Sequence, residues 1–193
     1  TVVIMTLVAG AILVQLVSHG QPDTTTVKPT KTGIKNETTS NNTRIGNLWA
    51  IVPDTWTGIR PSSSMRLMEF RLGVQADDAT LTIFKNIGGT IDNNLERWSG
   101  QFGYSLSDSE VNIRAENING MQVSIISIIG TYNNTMAFSD ANQPKTNYRL
   151  LGAIAETPDG LYYFKLTGPN IVINGRIDEF SHFIQSLRYD EIG

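Results

Sequence analysis

"MQVSIISIIGTY", residues 121–132, is a β-branched run that becomes apolar on both faces towards its end. Successive side chains of a strand point to opposite sides of the sheet, so Ile125, Ile126, Ile128 and Ile129 put apolar groups on both sides. A strand of that kind is central and needs cover on both faces. It follows "VNIRAENING" (111–120), whose Asn119-Gly120 pair signals a tight type I′ hairpin. Further along, "YRLLGAIAET" (148–157) and "LYYFKLTG" (161–168) flank Pro158-Asp159-Gly160, another hairpin turn. Upstream, "LWAIVP" (48–53) is a short strand stopped by Pro53, "SMRLMEFRL" (64–72) alternates with at least one apolar face, and "ATLTIF" (79–84) is a third strand. Short turns join most of these runs, which predicts a mainly antiparallel sheet.

Two segments change period. In "GRIDEFSHFIQSL" (175–187), Ile177, Phe180, Ile184 and Leu187 share a helical stripe with Phe183 adjoining. In "DNNLERWSGQF" (92–102), Leu95, Trp98 and Phe102 form a second stripe, with Asp92 or Asn93 as the expected N-cap. A strand covered on both faces, with two helices to cover it, predicts an α+β fold: a mainly antiparallel sheet flanked by helices on both faces, an α/β/α sandwich.

The N-terminus reads differently. "TVVIMTLVAGAILVQLV" (1–17) carries no charge. A bilayer core of about 30 Å needs roughly 20 apolar helical residues, so this run is at the lower limit for a transmembrane helix. It lacks the basic start of a secretory signal, and "LVSHG" is a poor cleavage site, so a retained anchor over 1–18 is expected. Ala9, Gly10 and Ala11 would let a neighbouring helix approach closely. Residues 19–46 are Thr-rich, without aromatics or apolar periodicity, and read as an extended linker of at most roughly 90 Å. Lys28, Lys31 and Lys35 give that linker a basic bias that could suit anionic lipid or an acidic partner. The globular domain is expected over 47–193. Tether and anchor are expected to lie against other protein in a larger membrane complex.

The chemistry available is narrow. The 193 residues contain no cysteine, two histidines and a net charge of -3, which excludes thiolate chemistry and gives no nucleic-acid footprint. Asp178, Glu179 and His182 place carboxylates near a histidine, but the pattern reads as a solvated helix face. His19 reads as an interfacial residue. Ser62-Ser63-Ser64 lacks a nucleophile motif, and "NIGGT" (86–90) lacks a phosphate-binding pattern. The Asn-x-Thr triplets at 36–38, 41–43 and 133–135 read as chance in a chain this rich in Asn and Thr. Arg97 and Gln101, one helical turn apart, flank the Trp98 stripe. Arginine is a permanent cation and glutamine does not titrate, so the pair can bind or orient but not transfer protons. They read first as bonded to neighbouring backbone, and otherwise as a partner or ligand contact.

"YRLLGAIAETPDGLYYFKLTGP" (148–169), followed by a helix ending "FIQSLRY" (183–189), resembles the closing hairpin and helix of the PsbP family, the extrinsic lumenal proteins of oxygenic photosystems. "LWAIVPDTW" (48–56) resembles the opening strand of the same Mog/PsbP fold group. The likeness spans roughly residues 47–190. It implies an antiparallel sheet with helices on both faces and a non-enzymatic role, docking on a membrane complex to assemble or stabilise it. An anchor departs from the soluble photosystem proteins and favours permanent attachment.

The expected protein is therefore a single-pass membrane protein with its domain on the extracytoplasmic, periplasmic side. It would be a non-catalytic accessory subunit without cofactor or metal, partnered by other subunits and the bilayer but not by nucleic acid. A bacterial photosynthetic reaction centre is the best specific complex, and a respiratory complex the next. The rival is a tethered small-ligand or lipid-binding protein, which would require a sizeable apolar cavity beside helix 92–103 lined by Trp98 or Phe102.

Overall fold

Tyr162, Phe164 and Leu166 point to one side of their strand and Leu161 and Tyr163 to the other, and apolar clusters form on both sides. The computed structural model describes residues 41–73, 79–133 and 143–190, all within one unit, Thr38–Gly193. Elements follow in the order β1 (Asn42–Ile45), β2 (Leu48–Ile51), β3 (Trp56–Ile59), β4 (Arg66–Leu72), β5 (Ala79–Lys85), α1 (Ile91–Gly100), β6 (Val111–Ile118), β7 (Met121–Tyr132), β8 (Lys145–Thr157), β9 (Gly160–Pro169), α2 (Asn170–Asn174), α3 (Ile177–Gln185) and β10 (Arg188–Tyr189). Among the described residues, seven strands make one sheet in the order β3-β4-β5-β9-β8-β7-β6, with every neighbour antiparallel.

The hairpins form where the turn residues place them. Ile118 pairs with Met121 around Asn119 and Gly120, both at positive φ as a type I′ turn requires. Thr157 pairs with Gly160 across Pro158-Asp159. The β-branched run is β7, which has one neighbour beyond it, so it lies one strand from the edge rather than at the centre. Its cover is as expected over most of its length, with Val123 and Ile125 in one cluster and Ile126 and Ile128 in the other, but Ile129 near its end is 43% exposed.

On the first face, Phe180, Phe183 and Ile184 of α3 pack with Trp56, Phe70 and Phe164. Trp56 and Phe183 stand 5.1 Å apart between ring centroids. On the second face, Leu95 and Trp98 of α1, with Phe102 just beyond it, cover Ile126, Ile128, Leu150, Ile154 and Tyr163. Burying side chains such as Leu95 and Phe102 stabilises the fold by about 1.5–3 kcal/mol each. The α+β sheet flanked on both faces is thus present.

Two boundaries differ from the sequence reading. The stretch read as linker to residue 46 already contains β1, and Ile45 is buried at 1% exposure. A polar strand of four residues gives no periodicity to detect, and only its pairing with β2 orders it. "LWAIVP" does not open the main sheet. Its β2 lies between β1 and β10 in a separate three-stranded sheet, whose Leu48 and Ala50 join the first apolar face. Among the described residues no helix is long and apolar enough to cross a membrane. The anchor over 1–18 with Ala9, Gly10 and Ala11, and the tether residues Lys28, Lys31 and Lys35, lie outside the described residues.

Candidate functional site

Helix α1 is fixed at its start by a reciprocal cap. Thr90, not Asp92 or Asn93, is the N-cap: its Oγ1 accepts from the Asn93 backbone N–H at 3.1 Å, while Asn93 Oδ1 accepts from the Thr90 N–H at 3.2 Å. Buried Asn94 donates to the carbonyls of Gly88 and Thr90, which holds the Gly88-Gly89 turn against the helix. The helix end is tied by Asn133, whose N–H donates to the Gln101 carbonyl at 2.7 Å. These ties set Trp98 over β8 at Gly152, where any Cβ would stand 2.5 Å from Trp98 Cζ3.

One transverse row of the sheet then defines the site. Glu69 of β4 pairs with Thr82, Thr82 with Lys165, Lys165 with Gly152, and Gly152 with Ile126. Aligned residues share a face, so Lys165 emerges beside Gly152 under the end of α1. There its Nζ donates to Gln101 Oε1 at 2.5 Å and lies 5.6 Å from the Tyr132 ring centroid. Tyr132 stacks on Tyr148 at 6.0 Å.

A cavity of about 150 Å³ opens here, lined by Met65, Phe84, Ile87, Arg97, Trp98, Gln101 and Lys165. Trp98 and Gln101 are its buried members, and Met65, at 66% exposure, stands at the rim. Lys165 is half-buried along its length, but desolvation of its ammonium under α1 pushes it down to about 7, and the positive charges of Arg97 and Arg66 act in the same direction. Glu69 is the carboxylate nearest along the row, and it is engaged by Arg66 and by the Ser62 backbone. Among the described residues, neither Lys165 nor Arg97 forms an ion pair.

The structure brings Arg97 and Gln101 to one cavity, but not as backbone-bonded residues. The Arg97 guanidinium donates to the Asn94 side chain, and the Gln101 side chain accepts from Lys165. Lys165 is the member that sequence reasoning missed. Its signal was a lone cation on the second face of a strand that also carries Leu161 and Tyr163 there. The small-ligand reading asks for a sizeable apolar cavity lined by Trp98 or Phe102; the one beside Trp98 is small, about 150 Å³ against the roughly 300–1,000 Å³ usual for ligand pockets, does not include Phe102 and has a lysine in its wall.

The remaining titratable groups hold the fold together. Asp159 accepts from Lys85 Nζ at 2.6 Å, Asn47 Nδ2 at 2.8 Å and Thr157 Oγ1 at 2.6 Å, joining the β8–β9 turn to β5 and to the β1–β2 turn. Burial pushes the Asp159 carboxyl up, but Lys85, Thr157 and Tyr162 together hold it below its ordinary value. Glu179 does not lie on a merely solvated face: it accepts from Trp56 Nε1 and Thr55 Oγ1, both at 2.8 Å, and pairs with Arg176. His182 Nδ1 meets the Asp178 carbonyl at 2.7 Å, a bond within its own helix. Among the described residues no three His, Asp or Glu side chains gather to hold a metal ion. Ser62 serves Glu69.

No protein-family model matches the sequence, and no curated protein matches it either. Among solved structures, the chain is similar to the solution structure of cyanobacterial PsbP (CyanoP) from Synechocystis sp. PCC 6803, at 14% identity over 74% of this chain and 86% of that one, with a TM-score of 0.48.

Proposed function

We propose that this chain is a non-catalytic, membrane-anchored accessory subunit that docks on and stabilises a multi-subunit membrane complex. A bacterial photosynthetic reaction centre is the best specific complex, with the folded domain on the periplasmic side. The observation that carries this reading is the use made of the buried and half-buried carboxylates. Glu69, Asp159 and Glu179 each tie separate segments together through several donors. General acid–base work needs a titratable group free to face a substrate, and these three are committed to the fold. The segment that resembles PsbP supports the same reading, since it forms the β8–β9 hairpin inside the main sheet and the α3–β10 end.

The test is gentle affinity purification of the tagged chain from its native membrane, with identification of what accompanies it. Photosynthetic subunits in constant ratio are expected. Recovery of the chain alone contradicts docking.

One observation favours a second reading, a tethered small-ligand protein: the cavity beside Trp98 holds both apolar walls and cations without ion-pair partners among the described residues.

A further inference from the structure

We propose that the cavity between α1 and the sheet binds a small organic carboxylate, with the carboxylate held by Lys165 and Arg97 and its apolar body against Trp98, Phe84 and Ile87. This rests on the second reading above and names its ligand class.

Charge is the first argument. Lys165 and Arg97 line the cavity and Arg66 stands nearby, while Glu69 is already shared between Arg66 and Ser62. Excess positive charge beside apolar walls is unfavourable unless an anion offsets it. Hydrogen bonding is the second. A lysine ammonium has three donors, and the described protein acceptor of Lys165 is one amide oxygen, Gln101 Oε1. That amide turns an acceptor towards the lysine and supplies no charge. A carboxylate can take the remaining ammonium donors and also accept from a guanidinium, as charge-assisted bonds that are shorter and stronger than neutral ones.

Size and lining then narrow the anion. Phe84, Ile87, Trp98 and Met65 give the cavity an apolar wall. Inorganic phosphate or sulfate would leave that wall uncovered, and a metal cation would be repelled by the same charges. A volume of about 150 Å³ is that of a cavity able to hold benzene. The fitting body is one ring or a short branched or straight chain, with its head at the cations. Small-ligand sites commonly combine apolar walls with a few placed polar groups, and this cavity has that composition.

The experiment titrates the full chain in detergent with benzoate and hexanoate, by calorimetry and by protection of Lys165 from an amine-modifying reagent mapped by mass spectrometry. Sodium phosphate and the uncharged hexanol are the comparison probes. Lys165→Met and Arg97→Gln in the same detergent report partition into micelles. Saturable binding of the carboxylates, with Lys165 protected and affinity at least tenfold weaker in Lys165→Met, is the expected result. Arg97 is exposed, so Arg97→Gln keeps the fold and should also weaken binding. Phosphate binding as tightly as benzoate overturns the apolar part of the assignment. Hexanol binding as tightly as hexanoate overturns the role of the cations but leaves the small-ligand reading in place. Binding of none of these probes overturns both.

Discussion

Trp98 occupies the space above Gly152 that a side chain would otherwise fill. A Cβ at Gly152 would lie 2.5 Å from Trp98 Cζ3 and 2.8 Å from Ile126 Cγ2. The glycine in "YRLLGAIAET" is therefore a seat for the α1 tryptophan. Gly152→Ala should destabilise the domain by about 1–3 kcal/mol, as overpacking does. Gly100, at the end of α1, has nothing within 4 Å of an added Cβ. Gly100→Ala should be neutral or stabilise by up to about 1 kcal/mol through helix propensity. Urea unfolding of both variants, measured side by side, checks the contrast.

Asp159 joins three segments, so Asp159→Asn should cost about 1.5–3 kcal/mol, the range for hydrogen bonds to a charged group. The sign of its pH dependence follows from the carboxyl being held below its ordinary value in the fold. Its contribution is fully present above the unfolded carboxyl range near 4 and is lost as pH falls through the lower folded value. Acid titration of unfolding should show a shallower loss of stability in Asp159→Asn than in the parent chain.

Lys165 has the opposite consequence. Its folded value is about 7, while the unfolded chain returns to the ordinary 10.5. Between those two values the unfolded state binds more protons, so stability rises with pH, and below about pH 7 the destabilising contribution is complete. The charged and titratable groups facing it are Arg97 of α1, Arg66 and Glu69 of β4, and Tyr132 of β7. Lys165→Met should raise the urea midpoint at pH 6 and flatten its dependence between pH 7 and 10. An unchanged slope would show that Lys165 is already charged throughout that range in the fold.

Glu179 joins α3 to the turn before β3 and to Trp56. Glu179→Gln should weaken that attachment by about 1–2 kcal/mol and alter Trp56 fluorescence before global unfolding. A fluorescence transition that coincides with global unfolding would mean that this end of α3 is held by Phe180 and Phe183 packing alone.

The apolar periods were legible because strand and helix alternation survives in a single sequence. Ile125 against Ile126 and Ile128 read out the two faces of β7, the stripe Phe180, Ile184, Leu187 the cover of the first, and Leu95, Trp98, Phe102 the cover of the second. What escaped depends on partners far away in sequence. Strand β1 is polar and exists through its ladder with β2. β2 reaches β10 from the far end of the chain, which no local pattern announces. Thr90, Asp92 and Asn93 all carry capping side chains, so sequence alone does not single out Thr90 as the N-cap. Lys165 and Gln101 meet across a separation of 64 residues. Nothing local in the sequence shows that α1 covers the lysine.

Docking of the chain on a membrane complex is tested most directly by the stoichiometry of material purified gently from the native membrane, for the parent chain and for Gly10→Leu in the expected anchor. One chain per photosynthetic complex, with recovery of the complex reduced in Gly10→Leu while the domain stays folded, is the predicted result. A parent chain that migrates alone would contradict docking itself.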